Sequence, residues 1–222
     1  MIVLDCPQGG PEWTTARLGI PTASEFGRIL TPAKMEYSKG ARTYCHELLS
    51  EWATGLPVER GDSAFMQRGT RMEDEARRWY EMQRDVEVQR VGLVLRDDRQ
   101  VGGSPDGLVG EDGGLEIKVP ALHTHVSYLL GEDQPYVPQL QGLMYLTGRS
   151  WWDFLSYNPV LPKLLVRVER NEKYIAALDK ALGTLLVDLL VGKHRLLELG
   201  VRVPPEDMPP PLPTVKEVGD VV

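Results

Sequence analysis

The stretch from Gly102 to Pro120 limits the fold more than any other part of this 222-residue chain. Gly102-Gly103 and the run from Gly110 to Gly114 mark turns, and beyond them Leu115, Ile117 and Val119 alternate with Glu116 and Lys118. Turns at that spacing, with a two-residue period, predict a hairpin whose second arm has one polar face carrying both Glu116 and Lys118. Asp106, in Ser104-Pro105-Asp106 at the end of the preceding arm, then converges with Glu116 in the pattern PD-x9-E-x-K.

Two such carboxylates are hard oxygen donors suited to Mg²⁺, which takes few carboxylates and keeps several waters. A metal held there polarises a phosphoryl oxygen, lowers the pKa of bound water and stabilises the leaving oxygen, which suits phosphodiester hydrolysis. Lys118 beside that water has three roles open to it: orienting the water, offsetting charge growing on the phosphate, or acting as a base with a lowered pKa. The plainer alternative makes Asp106-Gly107 a simple hairpin turn and Glu116-Ile117-Lys118 the solvated side of an edge strand.

Composition narrows the classes. A chain 42% hydrophobic and 26% charged is globular, and its length suits one large domain, over residues 1–202, followed by a Pro-rich tail, 203–222. No opening signal segment and no apolar run of spanning length occurs, so a soluble protein of the cytoplasm, with no membrane partner, is expected. Cys6 and Cys45 make neither a disulfide framework nor a metal cluster, which argues against zinc. With 25 Lys and Arg against 32 Asp and Glu, the net charge of −7 argues against indiscriminate coating of nucleic acid. Phosphate therefore needs a local basic surface, and Arg60, Arg68, Arg71, Arg77 and Arg78 gather in one segment. The same segment reads equally as a solvated helix face laced with ion pairs to Glu73, Asp74 and Glu75.

Period and turn signals order the elements. Thr22-Ala23-Ser24-Glu25 fits a capping box opening a short helix bracketed by Pro21 and Pro32. Helices follow over about 39–54 and 63–84, then valine-rich strands at 86–88 and 91–95 leading into the hairpin. Two helices near 122–130 and 137–147, strands at 151–157 and 164–169, and a long helix capped by Asn171 complete the order, with an extended tail from Val203. The expected class is α/β, a mixed central sheet flanked by helices.

These residues together resemble the phage lambda exonuclease and YqaJ-like viral recombinase family of the restriction-endonuclease-like PD-(D/E)xK nucleases. The likeness rests on Trp13 with Arg17-Leu18-Gly19-Ile20-Pro21-Thr22-Ala23-Ser24-Glu25, then Gly69 with Glu73-Asp74-Glu75-Ala76-Arg77. It continues through Ser104 to Leu108, Leu115 to Pro120, and Gln139-Leu140-Gln141-Gly142-Leu143-Met144-Tyr145. The resemblance implies that Asp106, Glu116 and the Ile117 carbonyl hold Mg²⁺ or Mn²⁺, that Lys118 is the catalytic lysine, and that Glu73 and Gln141 are further contributors. It also implies a 5′-phosphate site at Arg17, Ser24 and Ser104, and a strand-parting apolar wedge at Met66.

For Ser24 the alternative is a structural cap, for Met66 a buried side chain, and for Tyr145 a core aromatic with its hydroxyl satisfied. His123 and His125 match no family role and stay unassigned. The implied activity is 5′-to-3′ digestion of duplex DNA ends to leave 3′ overhangs for recombination, by a ring-shaped homotrimer working with a single-strand annealing protein. A RecB/AddB-like or Cas4-like nuclease module and a catalytically silent DNA-end-binding protein are the alternatives.

Overall fold

In the computed structural model, residues 1–58, 64–132 and 136–212 are described, with side chains for all of these except 64–71. The chain opens with β1 (Ile2–Leu4) and α1 (Pro11–Arg17), takes a 3₁₀ turn (Ala23–Arg28), and builds α2 (Ala41–Thr54) and α3 (Ala64–Arg84). Then come β2 (Val88–Gln89), β3 (Leu93–Leu95), β4 (Gly102–Gly103), β5 (Gly107–Val109) and β6 (Gly113–Lys118). Helices α4 (Leu122–Leu129) and α5 (Val137–Thr147), strands β7 (Trp151–Ser156) and β8 (Leu164–Glu169), and helix α6 (Glu172–Glu198) follow, with a last 3₁₀ turn at Pro205–Asp207.

The glycine-marked tract forms its hairpin: β5 and β6 are antiparallel, with Gly107 opposite Leu115 and Val109 opposite Gly113, and Gly110 turns the chain at φ +53°. A sheet ordered β2-β5-β6-β7-β8 grows around it, parallel between β6 and β7 and antiparallel elsewhere. The sheet is therefore mixed, and β6 lies inside it, which removes the edge-strand alternative. Because successive side chains point to opposite faces, Leu115 and Ile117 pack with Ala76 and Tyr80 of α3, while Glu116 shares its face with Phe154 on β7. Helix α5 packs against that second face over β7. Gly114 is required there, since a Cβ would lie 2.3 Å from the indole of Trp152. The main core, with Phe26, Tyr44, Leu48, Leu140, Leu143, Trp152, Leu178 and Leu182, fills the space between this face and the helices.

Expected and observed elements differ at several places. Strand β1 had no counterpart in the expected order, and Gly102-Gly103, expected as a turn, is strand β4; both pair with β3 in a second, three-stranded sheet ordered β1-β3-β4. Helix α1 carries no signal of an apolar face because none of its residues is buried; its start is set by Pro11 at the first helical position. The segment after Thr22 is a six-residue 3₁₀ turn without the capping box: the Thr22 side chain makes no cap bond, and Glu25 pairs with Arg28 instead. The Pro-rich tail keeps extended backbone at Pro204 and Met208 on either side of the turn at Pro205–Asp207, and this part of it packs against the domain. Trp52 Nε1 donates to the Asp207 carbonyl at 2.9 Å, and His194 Nε2 lies 2.7 Å from the Pro210 carbonyl. Asn171 caps α6 as expected, its side chain accepting from Tyr174 N at 3.1 Å. Both cysteines are buried free thiols.

Candidate active site

Asp106 enters β5 directly from Pro105, and its Oδ2 accepts a 2.6 Å hydrogen bond from the backbone N–H of Ile117. One carboxylate is thus clamped to the strand residue next to the other. Glu116 is 1% exposed; its Oε1 accepts from Lys118 Nζ at 2.5 Å and from Gln139 Nε2 at 2.6 Å. Its Oε2 is equally buried and has no hydrogen-bond partner. Lys118 also stands 5.1 Å from the ring centroid of Tyr136.

The electrostatics follow from this crowding. Burial, then the charge of Glu116, pushes the Asp106 carboxyl well above its ordinary range, and burial raises Glu116 against the pull of Lys118 and Gln139. Burial alone would lower the Lys118 ammonium, but Glu116 and Asp106 together outweigh it and hold the charged form above its usual value. An orphaned carboxylate oxygen beside a second, partly buried carboxylate is unfavourable by itself, and a divalent cation relieves both. The donor set therefore fits a hard metal ion at Asp106 and Glu116. Among the described residues no three His, Cys, Asp or Glu side chains gather as a ready metal cluster.

Helix α3 brings Glu73 close enough for its charge to raise both carboxyls. Its Oε1 accepts from Arg77 Nη2 at 2.6 Å, while Arg77 Nη1 donates to Asp74 at 2.8 Å and Nη2 reaches the Asp106 carbonyl at 3.4 Å. Arg77, 6% exposed, is therefore an internal brace rather than a phosphate grip. Together Glu73, Asp74, Arg77, Asp106 and Gln8 line a cleft of about 410 Å³. The side chains of Met66, Arg68 and Arg71, and all of Arg60, lie outside the described residues.

Gln141 does not reach the site. It is 2% exposed, its Nε2 donates to the Glu169 carbonyl at 2.8 Å, and its Oε1 accepts from Asn171 N at 2.9 Å, so it pins the junction of β8 and α6. Two residues apart on a helix face nearly opposite ways, and it is Gln139 that meets Glu116. In Gln139-Leu140-Gln141 only the placement of α5 against β6 distinguishes the two glutamines, and no local signal carries that. Tyr145 fits the core alternative: its hydroxyl donates to Asp179 at 2.6 Å and accepts from Arg96 at 3.0 Å. His125 is fully buried between Ser156 Oγ at 2.6 Å and the Pro162 carbonyl at 2.9 Å, while His123 is exposed.

Arg17, Ser24 and Ser104 do converge. The Arg17 guanidinium lies 3.9 Å from the Trp13 ring centroid, and Trp13 Nε1 donates to Ser104 Oγ at 2.8 Å. Arg17 Nη2 also donates to Thr22 Oγ1 at 3.4 Å, itself 3.4 Å from Ser24 Oγ. Trp13 and Thr22, to which the sequence reading gave no site role, are what join the three. Ser104 stands two residues before Asp106, so this corner and the paired carboxylates share one short tract.

The family described as YqaJ-like viral recombinase domain matches residues 12–150. An alkaline exonuclease from Laribacter hongkongensis, LHK-Exo, is 35% identical and superposes with a TM-score of 0.75 over 86% of this chain and 100% of that one. The same enzyme in complex with dAMP superposes with a TM-score of 0.76 at the same identity and coverage. A phage-related exonuclease from Haemophilus somnus 129PT, 14% identical, shares the fold with a TM-score of 0.60 over 82% of this chain and 96% of its own. No curated protein matches.

Proposed function

From the premise that this chain belongs to the YqaJ-like viral recombinase domain family and is a nuclease acting on DNA ends, we propose that it digests duplex DNA in the 5′-to-3′ direction with Mg²⁺ or Mn²⁺. The observation that carries the chemistry is Glu116, buried, held by Lys118 and Gln139 through one oxygen and bare at the other. Asp106 and Glu116, with the Ile117 carbonyl, would hold the ion, whose contribution is Lewis-acid polarisation of the phosphoryl oxygen and a more acidic bound water. Lys118, bonded to Glu116, offsets the charge that grows on the phosphate. Gln139 fixes the Glu116 carboxylate, and Glu73, braced by Arg77, faces the attacking side.

The polarity is supported by the corner at Arg17, Ser24 and Ser104, where a guanidinium and two hydroxyls suit a terminal 5′-phosphate. Ser104 stands two residues before Asp106, so one short tract serves both the phosphate corner and the paired carboxylates. Release of mononucleotides is part of the same proposal, in keeping with the dAMP in complex with the Laribacter relative. A 3′ overhang, a single-strand annealing partner, a ring-shaped homotrimer and action in the cytoplasm of a bacterial host belong to the same proposal and rest on the family resemblance. No helix among the described residues is long and apolar enough to cross a membrane.

The test is linear duplex labelled at either end, with and without Mg²⁺, bearing 5′-phosphate or 5′-hydroxyl termini. Expected are metal-dependent loss of the 5′ label as mononucleotide, a strong preference for phosphorylated ends, and loss of most of that preference in Arg17→Ala. Release of the 3′ label first would contradict the polarity, and equal rates on both termini would contradict the phosphate corner.

A further inference from the structure

Between α1, α2 and the segment at Pro57-Val58 lies a cavity of about 160 Å³ whose lining includes Trp13, Arg17, Thr22, Tyr44, Glu51 and Val58. It backs onto the corner that gathers Arg17, Ser24 and Ser104. Glu51 is a carboxylate only 8% exposed in this wall, and its two oxygens face two different stretches of chain. Oε2 accepts from the backbone N–H of Gly19 at 3.1 Å, and Oε1 from that of Val58 at 3.2 Å. Tyr44, two helical turns earlier on the same face of α2, accepts from the backbone N–H of Thr22 at 3.1 Å through its hydroxyl. Gly19 presses onto the same helix in the left-handed region, φ +69°, where a Cβ would stand 2.9 Å from Trp52 Cβ.

The loop from Leu18 to Pro21 thus carries Arg17 at one end and Thr22 and Ser24 at the other, and its shape is held by two buried acceptors of α2. We infer that Glu51 and Tyr44 are positioning residues for 5′-phosphate recognition, which hold the 18–22 loop so that Arg17 and Ser24 address one phosphate, and that Glu51 ties this loop to the chain leading from Val58 toward α3. A buried carboxylate that accepts from two backbone N–H groups is stabilised in place by them and fixes both stretches of chain. A glutamine of the same size cannot replace it, since its amide offers one acceptor and sets N–H against N–H at the other contact.

The inference rests on the phosphate corner proposed above, and the experiment separates the two. The ratio of digestion rates on 5′-phosphorylated and 5′-hydroxyl duplex is measured for wild type, Glu51→Gln and Tyr44→Phe, with KM and kcat on phosphorylated ends. Expected is a wild-type ratio well above one that falls about tenfold in Glu51→Gln and less in Tyr44→Phe, with the loss entering through KM. Damage to the fold alone lowers both rates together and leaves the ratio where it was. A wild-type ratio near one overturns the phosphate corner and this inference with it. A wild-type preference that survives in both variants with unchanged KM overturns the role of α2 while leaving the proposed function standing. Should Glu51→Gln lose its helical circular dichroism, Tyr44→Phe decides alone.

Discussion

The hairpin proposed as catalytic and the corner proposed to take the 5′-phosphate lie two residues apart at Ser104 and Asp106, yet they are held by different means. Glu116 and Lys118 sit on an interior strand, and Asp106 is bonded to the backbone of that same strand. Their geometry is fixed by the β ladder, over a span of thirteen residues from Asp106 to Lys118. Arg17, Ser24 and Ser104 come from a short helix, a 3₁₀ turn and a strand end, joined by the Trp13 indole and held from behind by Tyr44 and Glu51. The first site is rigid because its backbone is paired; the second depends on single side chains far apart in sequence. Substitutions should therefore act all-or-none in the hairpin and by degrees in the corner.

The largest effects are expected at the paired carboxylates. Asp106→Asn and Glu116→Gln should each lose at least about a thousandfold in hydrolysis, because metal-borne stabilisation of the transition state goes with them, while binding of duplex ends persists in a gel-shift assay. Near-normal cleavage by either variant would erase the distinction between the two regions. Lys118→Ala should lose about a hundredfold or more, and its failure to do so would return that lysine to the status of a solvated strand residue.

The two glutamines of α5 sharpen the same contrast on one helix. Gln139→Leu frees Glu116 from one of its two side-chain partners and should cost about 10–100-fold in rate, with the midpoint of thermal unfolding little changed. Gln141→Leu leaves the Glu169 carbonyl and the Asn171 N–H without their partner, so it should cost about 1–3 kcal/mol of stability and keep its activity. Thermal melts beside initial rates decide it; activity lost at Gln141 with stability unmoved would reverse the assignment.

Legibility in the sequence follows the same division. The hairpin, the mixed α/β sheet, the Asn171 cap and the helices of the second half were readable because each depends on local period and turn chemistry. The convergence of Asp106, Glu116 and Lys118 was readable for that reason, and that of Arg17, Ser24 and Ser104 only through family resemblance. What escaped depends on tertiary placement. Nothing local tells Gln139 from Gln141, shows that Arg77 faces inward to Glu73 rather than outward to phosphate, or shows that Glu51 holds Gly19, 32 residues away. The capping box at Thr22 failed because the Thr22 hydroxyl is engaged by Arg17 and Ser24 instead.

The claim on which the rest depends is that a metal ion completes the pair of Asp106 and the buried Glu116. Calorimetric titration of Mn²⁺ into wild type, Arg17→Ala and Glu116→Gln at one pH and ionic strength tests it without reference to turnover. Wild type and Arg17→Ala should bind with the same affinity and stoichiometry, and Glu116→Gln should lose detectable binding. Binding by Glu116→Gln equal to that of the wild type would contradict the account.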